Sequence, residues 1–308
     1  MEKAEKAADE MGKEIKDSGE QADDAKGKFS GFTSVLSGMG TALKGAAAAT
    51  AAAVAGAATA IGALTTKAIE GYAAQEQLVG GVETLFKTSS DTVVGYANDA
   101  YKTAGMSANE YMETVTSFSA SLLASMNNDT AAAAEKANVA ITDMSDNANK
   151  MGTDISLIQN AYNGFAKQNY TMLDNLKLGY GGTKEEMQRL LDDASKLSGI
   201  KYDISSYSDI VDAIHVVQTE MGITGTTAKE ASTTIEGSVS SMSSAWDNWV
   251  AGMADSEANF SQLTSNLVDS IVTVVGNIAP RVIETVPRLV SGLGEIVEQL
   301  ATYIPQVI

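Results

Sequence analysis

The stretch that decides the fold runs from residue 160 to residue 191 and reads NAYNGFAKQNYTMLDNLKLGYGGTKEEMQRLL. A helical run ends near Phe165, and a polar corner follows it. A short apolar segment then leads to a glycine-rich break, after which a second helix begins. The pattern predicts helices joined by tight turns, and we expect the core turn to consist of Gly179, Gly181, Gly182 and Thr183.

The start of the second helix carries its own signal. Thr183 followed three residues later by Glu186 is the spacing of a capping box, in which the hydroxyl accepts a helix amide and the carboxylate returns to the amide of the capping residue. A glycine-rich loop before a helix can instead cradle a phosphate, but that use needs a preceding buried strand. No β-branched strand precedes Gly179. The pattern therefore favours a plain helix–turn–helix connection.

The composition excludes several classes of function. The 308 residues carry a formal charge of −18, and repulsion from phosphates argues against specific nucleic-acid binding. There is no cysteine and one histidine, which removes disulfides and most metal-site and triad options. No combination of base, nucleophile and oxyanion donors can be named. We expect no enzyme activity, and no catalytic, cofactor-binding or metal-binding residues.

The fold class expected from the apolar spacing is mainly α, an elongated multi-helix array with helical hairpins. Aromatic residues make up only 6% of the chain, which predicts thin interiors because aromatic side chains supply much of the buried area. Residues 200–207, IKYDISSY, are the best candidates for an extended piece. Paired with residues 170–178, they could form a small β-hairpin-like flap within the region 170–207.

Shifts in composition divide the chain into four segments. Charged residues dominate the beginning, glycine and alanine follow, and amphipathic helical patterns occupy the rest. We expect a charged N-terminal helix at 1–28, a Gly/Ala-rich hinge and apolar helix at 29–74, a helical core region at 75–254 and amphipathic C-terminal helices at 255–308.

One uncharged tract has the length of a membrane span. It runs from Gly45 to Thr66, but most of its residues are alanine and glycine, which contribute little to insertion. Small residues also allow close approach between helices. Two interpretations stay open: a helix that packs on copies of itself or on another helix, and one that inserts when released from an assembly. The candidate membrane-insertion residues are Gly45, Val54, Gly56, Ile61, Leu64 and Thr66.

Two further groups of side chains invite a functional interpretation. Trp246 and Trp249 lie on one helix face and are candidates for a partner, core or membrane contact. His215 is interpreted as a residue at the edge of the core, with Asp212 as the carboxylate on its own face. Asp143 and Asp146 do not follow the order of a calcium-binding loop. We expect these two carboxylates at helix ends and on solvated faces.

Three long phrases carry a resemblance to a known family. They are EQLVGGVETLFKTSSDTVVGYANDAYKTAGMSANEYMETVTSFSASLL, AITDMSDNANKMGTDISLIQNAYNGFAKQNYTMLDNLKLGYGGTKEEMQRLL and VDAIHVVQTEMGITGTTAKEASTTIEGSVSSM, which together cover about residues 76–242. This region resembles the core region of tail tape measure proteins from phages and prophages of Gram-positive bacteria.

The resemblance implies a structural protein that sets tail length by spanning the tail tube during assembly. On infection, proteins of this family leave the tail and assist DNA passage through the host envelope. The implied partners are tail tube subunits, tail assembly chaperones, the tail terminator and baseplate or distal tail proteins, together with further copies of the chain. The implied location is the lumen of the virion tail, the host cytoplasm during assembly, and the host membrane on ejection.

The length of the chain departs from the family pattern. A continuous helix of 308 residues would reach only ~460 Å, and the turns described above interrupt it. We therefore expect a portion of a longer ruler, a fragment or a shortened prophage relic. An alternative function is that of a membrane-active, pore-forming helical protein that uses the Gly45–Thr66 tract and the C-terminal helices. A helical secreted scaffold that binds host proteins is a third.

Overall fold

The computed structural model describes the backbone of residues 51–303 and the side chains of residues 64–281. The charged helix expected at 1–28 and the first part of the hinge, 29–50, lie outside these described residues. The remainder is a succession of helices with short connections: α1 (Ala51–Phe86), α2 (Ser90–Thr103), α3 (Ala108–Ser125), α4 (Thr130–Met151), α5 (Ile155–Phe165), α6 (Lys184–Ser198), α7 (Tyr207–Glu220), α8 (Thr226–Thr233), α9 (Ile235–Gly252) and α10 (Phe260–Tyr303).

The mainly α fold class is confirmed, and no strand occurs between residues 51 and 303. The flap considered for 170–178 and 200–207 is not formed. Leu173 and Leu176 are buried in a 3-10 turn, Leu173–Leu176, because their three-residue spacing suits a helical turn better than an alternating strand. The two segments still touch, since the Tyr170 hydroxyl donates to the Ile204 carbonyl at 3.0 Å.

Two capping motifs show how local sequence begins the helices. At α3, the Ser107 hydroxyl accepts from the Glu110 amide, and the Glu110 carboxylate accepts from the Ser107 amide at 2.8 Å, which completes a capping box. At α6, only half of the expected box forms. The Thr183 hydroxyl accepts from the Glu186 amide at 3.2 Å, but the Glu186 carboxylate accepts from the Gly181 amide at 3.0 Å.

The departure at α6 has a local cause. Arg189 pairs with the Glu186 carboxylate and also donates to the Gly179 carbonyl at 2.8 Å. This guanidinium and the Gly181 amide hold the pKa of Glu186 well below its usual value, at about 2. The carboxylate is thus drawn toward the turn, and the Thr183 amide donates to the Gly181 carbonyl.

The main core is larger than the composition suggested. It extends from Val82 near the end of α1 to Ile223 after α7, and it includes most of the fully buried aromatic side chains. The expectation of thin interiors is therefore wrong for this part of the chain, because the few aromatic residues are concentrated inside it. The largest fully buried side chains are Tyr111, Tyr162, Phe86, Phe165, Met112 and Leu122.

A second, smaller cluster joins α9 and α10 to α2. Its buried members are Tyr101, Met242, Ala245, Leu267 and Val274. It lies at the start of α10, since the buried hydrophobic residues of that helix among the described side chains end at Val274. This cluster therefore connects the packed part of the chain to its longest helix.

The core turn offers a matched test of its backbone packing. An added Cβ at Gly182 would collide with the Thr171 carbonyl oxygen, whereas at Gly181 the nearest atom is the Glu186 Cγ at 3.6 Å. We expect Gly182→Ala to lower the free energy of unfolding by about 1–3 kcal/mol, since backbone must move to relieve the collision. Gly181→Ala should cost less than ~1 kcal/mol. Urea unfolding measures both, and equal losses in the two variants would refute the packing described for this turn.

Candidate functional site

The core turn connects two helices, and its polar groups already have hydrogen-bond partners within the chain. Gly179 has a φ of 86°, a left-handed conformation that suits glycine. The Gly181 amide, which a bound phosphate would need, donates to Glu186 instead. The chain's own carboxylate therefore lies where an anion would bind, and the turn fastens α6 to the preceding segment.

The tryptophan pair packs within the chain. The ring centroids of Trp246 and Trp249 are 5.2 Å apart, and Phe260 at the start of α10 lies 5.5 Å from Trp249. The Trp249 indole N–H donates to the Thr264 hydroxyl at 3.1 Å. Both indoles are half-buried. The pair thus joins α9 to α10 by aromatic contact and one hydrogen bond.

The candidate membrane-insertion tract is only partly within the described residues. Gly45 lies outside them. Val54, Gly56 and Ile61 lie in α1, in the part where only the backbone is described. Leu64 is half-buried and Thr66 is exposed. Among the residues that the structure describes, none of the helices combines the length and the apolar character that crossing a bilayer requires.

Helix α4 carries a polar stripe that faces the core. Asp146 and Asn147 come three and four residues after Asp143, and each of the three side chains has an exposed fraction of 1% or less. The expectation that Asp143 and Asp146 lie on solvated faces is therefore wrong. Burying a carboxylate is costly unless it is paired, so the partners of this stripe determine which segments pack on α4.

Asp146 anchors the start of α8 to α4 by two hydrogen bonds. Its carboxylate accepts from the Gly225 amide at 2.6 Å and from the Thr227 amide at 2.7 Å. Amides at a helix start have no partner within the helix, so a carboxylate from another helix can cap them. Beside it, the Asn147 side-chain amide donates to the Leu176 carbonyl at 3.0 Å, which holds the 3-10 turn on the same face.

Asp143 and His215 join α4 to α7. The Nδ1 atom of His215 lies 2.9 Å from both carboxylate oxygens of Asp143. Burial raises the pKa of Asp143 to about 6, although the imidazole opposes this shift. The hydrogen bond to Asp143 raises the pKa of His215 in turn. The partner expected from the sequence, Asp212, pairs with Lys136 instead.

The core beside this pair holds further buried polar groups. They are the hydroxyls of Tyr162 and Tyr207 and the side-chain amide of Gln218. Burial raises the pKa of the Tyr162 hydroxyl well above its ordinary value, so this group keeps its proton at neutral pH. Within residues 64–281 no cluster of three His, Cys, Asp or Glu side chains could hold a metal ion. The buried polar side chains of this region thus connect one helix to another.

Sequence reasoning missed this stripe because its partners are distant along the chain. Asp143 and His215 are 72 residues apart, and Asp146 is 79 residues from Gly225. Periodicity reports which residues share a helix face, but it does not report which face is buried when that face is polar. The one available signal was the spacing of Asp143, Asp146 and Asn147, which places all three on one face of α4.

Comparisons of the chain with protein-family models, with curated proteins and with solved structures found no match. The resemblance to tail tape measure proteins therefore depends on the quoted phrases at residues 76–242. Those phrases fall on the part of the chain that forms α1 to α9.

Replacing Asp146 should loosen the start of α8. In Asp146→Asn an amide N–H₂ group must face two backbone N–H donors, so at least one buried donor loses its acceptor. We expect a loss of about 1–3 kcal/mol in the free energy of unfolding. The matched control is Asp99→Asn, which removes an exposed ion pair with Lys102 and should change stability by less than ~1 kcal/mol. Chemical unfolding measures the free energy of unfolding of both variants. A similar small effect in the two would contradict the role of Asp146 in anchoring α8.

The Asp143–His215 pair predicts a pH dependence of stability. Both pKa values are raised in the folded state, so the folded chain holds more protons than the unfolded chain. Stability from this pair is fully present below the unfolded values and is lost as the pH rises through about 6 and then through the raised value of His215. Asp146, Asp212 and Lys136 are the neighbouring charged groups.

We expect the wild type to lose about 1 kcal/mol of stability relative to the double variant Asp143→Asn/His215→Gln between pH 5 and 8. The loss is small because the His215 side chain is 38% exposed and solvent screens its charge. Urea unfolding at several pH values measures the difference. Parallel pH profiles for the two proteins would show that the pair does not titrate as described.

Proposed function

We propose that this chain is a structural protein of the tail tape measure type, which sets tail length during assembly and assists DNA passage through the host envelope. The observation that carries the proposal is α10, a single helix of 44 residues. Such a helix is about 66 Å long, because each residue adds ~1.5 Å along the axis. A helix is a linear element whose length follows directly from its residue count, as a ruler requires.

The way α10 packs supports this role. Within residues 260–281 only Leu267, Ser270 and Val274 are buried, and they lie on the side that meets α9. The helix is therefore held along one narrow stripe near its start. The main core, which extends from the end of α1 to α7, would then serve as a docking body for the long helix.

A second apolar stripe on α10 supports association with other proteins. Val268 and Val272 are 36% and 59% exposed. Residues 268 and 272 are four apart, hence on one face, and this face differs from the one that Leu267 and Val274 bury. We propose further copies of the chain and the tail tube subunits as partners here, with tail assembly chaperones, the tail terminator and baseplate or distal tail proteins as the other partners.

The proposed protein is not an enzyme and acts in the lumen of the virion tail, after assembly in the host cytoplasm. The hydrogen bonding of the buried carboxylates supports this, since Asp146 is used by backbone amides and Asp143 by His215. Passage to the host membrane on ejection is part of the same proposal, with the Gly45–Thr66 tract as the segment that would meet lipid.

The ruler function is tested by changing the length of α10 in a phage that produces this chain. We expect removal of 18 residues, about five helical turns, between 282 and 303 to shorten the tail by about 27 Å, and insertion of 18 residues to lengthen it equally. Whole turns preserve the helix faces. Electron microscopy of purified tails measures the change.

The matched control replaces the same 18 residues with an unrelated helical sequence of equal length, which should leave the tail length unchanged. If the deletion and the insertion both give tails of wild-type length, the chain does not act as a ruler through α10. Leakage of liposomes by the purified protein, with tail length unaffected, would favour a membrane-active protein instead.

A further inference from the structure

A groove of about 590 Å³ lies among five helices. Its lining residues come from α3, α4, α5, α8 and α9 and from residues 104–106. Two hydrogen bonds join α3 to α5 along it. The Gln159 side-chain amide donates to the Thr114 hydroxyl at 3.0 Å, and the Ser117 hydroxyl donates to the Asn163 carbonyl oxygen at 3.1 Å.

The groove is negatively charged. Among the residues that the structure describes, three glutamates line it and no lysine or arginine does. The Glu110 carboxylate is used in the cap of α3. Glu113 and Glu236 make no ion pair with any residue that the structure describes. Two carboxylates therefore remain free to accept hydrogen bonds from a ligand.

A buried side chain of α4 supplies an independent indication of a ligand. The Ser145 side chain is only 5% exposed, lines the groove and has no hydrogen-bond partner among the described residues. The Thr227 hydroxyl, which also lines the groove, is buried and without a partner as well. Asp146, the residue after Ser145, accepts from the Thr227 amide at 2.7 Å. Buried hydroxyls without a partner are rare and costly, so a ligand that hydrogen-bonds them would gain affinity.

The other lining groups restrict the chemistry of the ligand. Carboxylates accept hydrogen bonds and do not donate them, while hydroxyls and the side-chain amides of Asn149 and Asn160 can accept as well. An ammonium group has three donors and no acceptor. Apolar surface from Ala148, Ala231 and Ile155 lies along the same groove and suits a hydrocarbon stem.

We propose that this groove binds a primary ammonium group on an alkyl chain. Such a group can come from a lysine side chain of a partner polypeptide or from a free polyamine. The proposal goes beyond the tape measure role and does not rest on it. A divalent metal ion fits less well, because the described residues contain no cluster of three ligating side chains. An anion would be repelled by the glutamates.

Binding is tested with the whole chain by NMR titration with spermidine and with the peptide acetyl-Ala-Lys-Ala-amide. The control peptide has norleucine in place of lysine and so keeps the hydrocarbon stem. We expect spermidine, the lysine peptide or both to shift the side-chain amide signals of Asn149, Asn160 and Asn163. The norleucine peptide should shift none of them.

The variants compare charges inside and outside the groove. Glu113→Gln/Glu236→Gln should weaken binding by about tenfold, since charge-assisted hydrogen bonds are lost. Glu83→Gln/Glu135→Gln removes the same charge from exposed positions on α1 and α4 outside the groove, and should change the dissociation constant by less than about twofold. Ser145→Ala should weaken binding by about fivefold while the chain remains folded.

The outcomes distinguish the two sources of the ligand, and they also show whether the proposal fails. Binding of spermidine alone indicates a free polyamine, and binding of the lysine peptide alone indicates a partner polypeptide. Equal weakening by the two double variants would overturn the proposal, because attraction would then come from the general acidity of the chain. Equal shifts from the norleucine peptide and the lysine peptide would overturn it too, as would the absence of any shift with either ammonium ligand. None of these results depends on tail length.

Discussion

The structure depends on the buried polar stripe of α4. Asp143, Asp146 and Asn147 place two carboxylates and an amide inside a helical core, where each group is costly unless it is hydrogen-bonded. Each finds a partner on a different segment: His215 on α7, the start of α8, and the Leu176 carbonyl in the 3-10 turn. Apolar surfaces can slide past one another, but directional partners of this kind select one arrangement of the three segments around α4.

The same stripe explains how the far end of the chain is positioned. The bonds from Asp146 fix the start of α8, and α8 packs closely on α9. The hydroxyl of Thr234 caps α9 through the Gly237 amide at 3.0 Å. The tryptophan pair of α9 then holds the beginning of α10. The proposed ruler helix is thus connected to the core through a series of contacts that begins at one aspartate.

Much of the fold could be predicted from the sequence because its signals are local. The Ser107 cap, the break at Gly179 and the helical spacing of apolar residues each involve neighbours along the chain. The remainder could not be predicted, because the decisive partners are far apart. Nothing near Asp143 in the sequence points to His215. The capping-box spacing of Glu186 likewise does not reveal that Arg189 draws its carboxylate toward the Gly181 amide. The groove is lined by residues from five helices, so no single sequence motif predicts it.

The function inferred for the chain depends on different residues from those that stabilise it. The inward carboxylates are occupied by protein donors, whereas the exposed apolar face of α10 and the free glutamates of the groove are not. Structure and proposed interactions are therefore separable by substitution. Variants of Val272 or Glu236 change exposed side chains that the core does not require, while changes at Asp146 act on the fold itself.

The most direct test of the account is amide hydrogen exchange at Gly225 and Thr227, measured by NMR. Both amides lie at the edge of a loop, and their carboxylate partner is fully buried. The Ser205 amide is the internal reference, since it donates to an exposed carboxylate, that of Asp203, at 2.8 Å. We predict that Gly225 and Thr227 exchange at least about a hundredfold more slowly than Ser205, at rates close to those of α4. Exchange at the rate of Ser205 would contradict the claim that the polar stripe of α4 organises the fold.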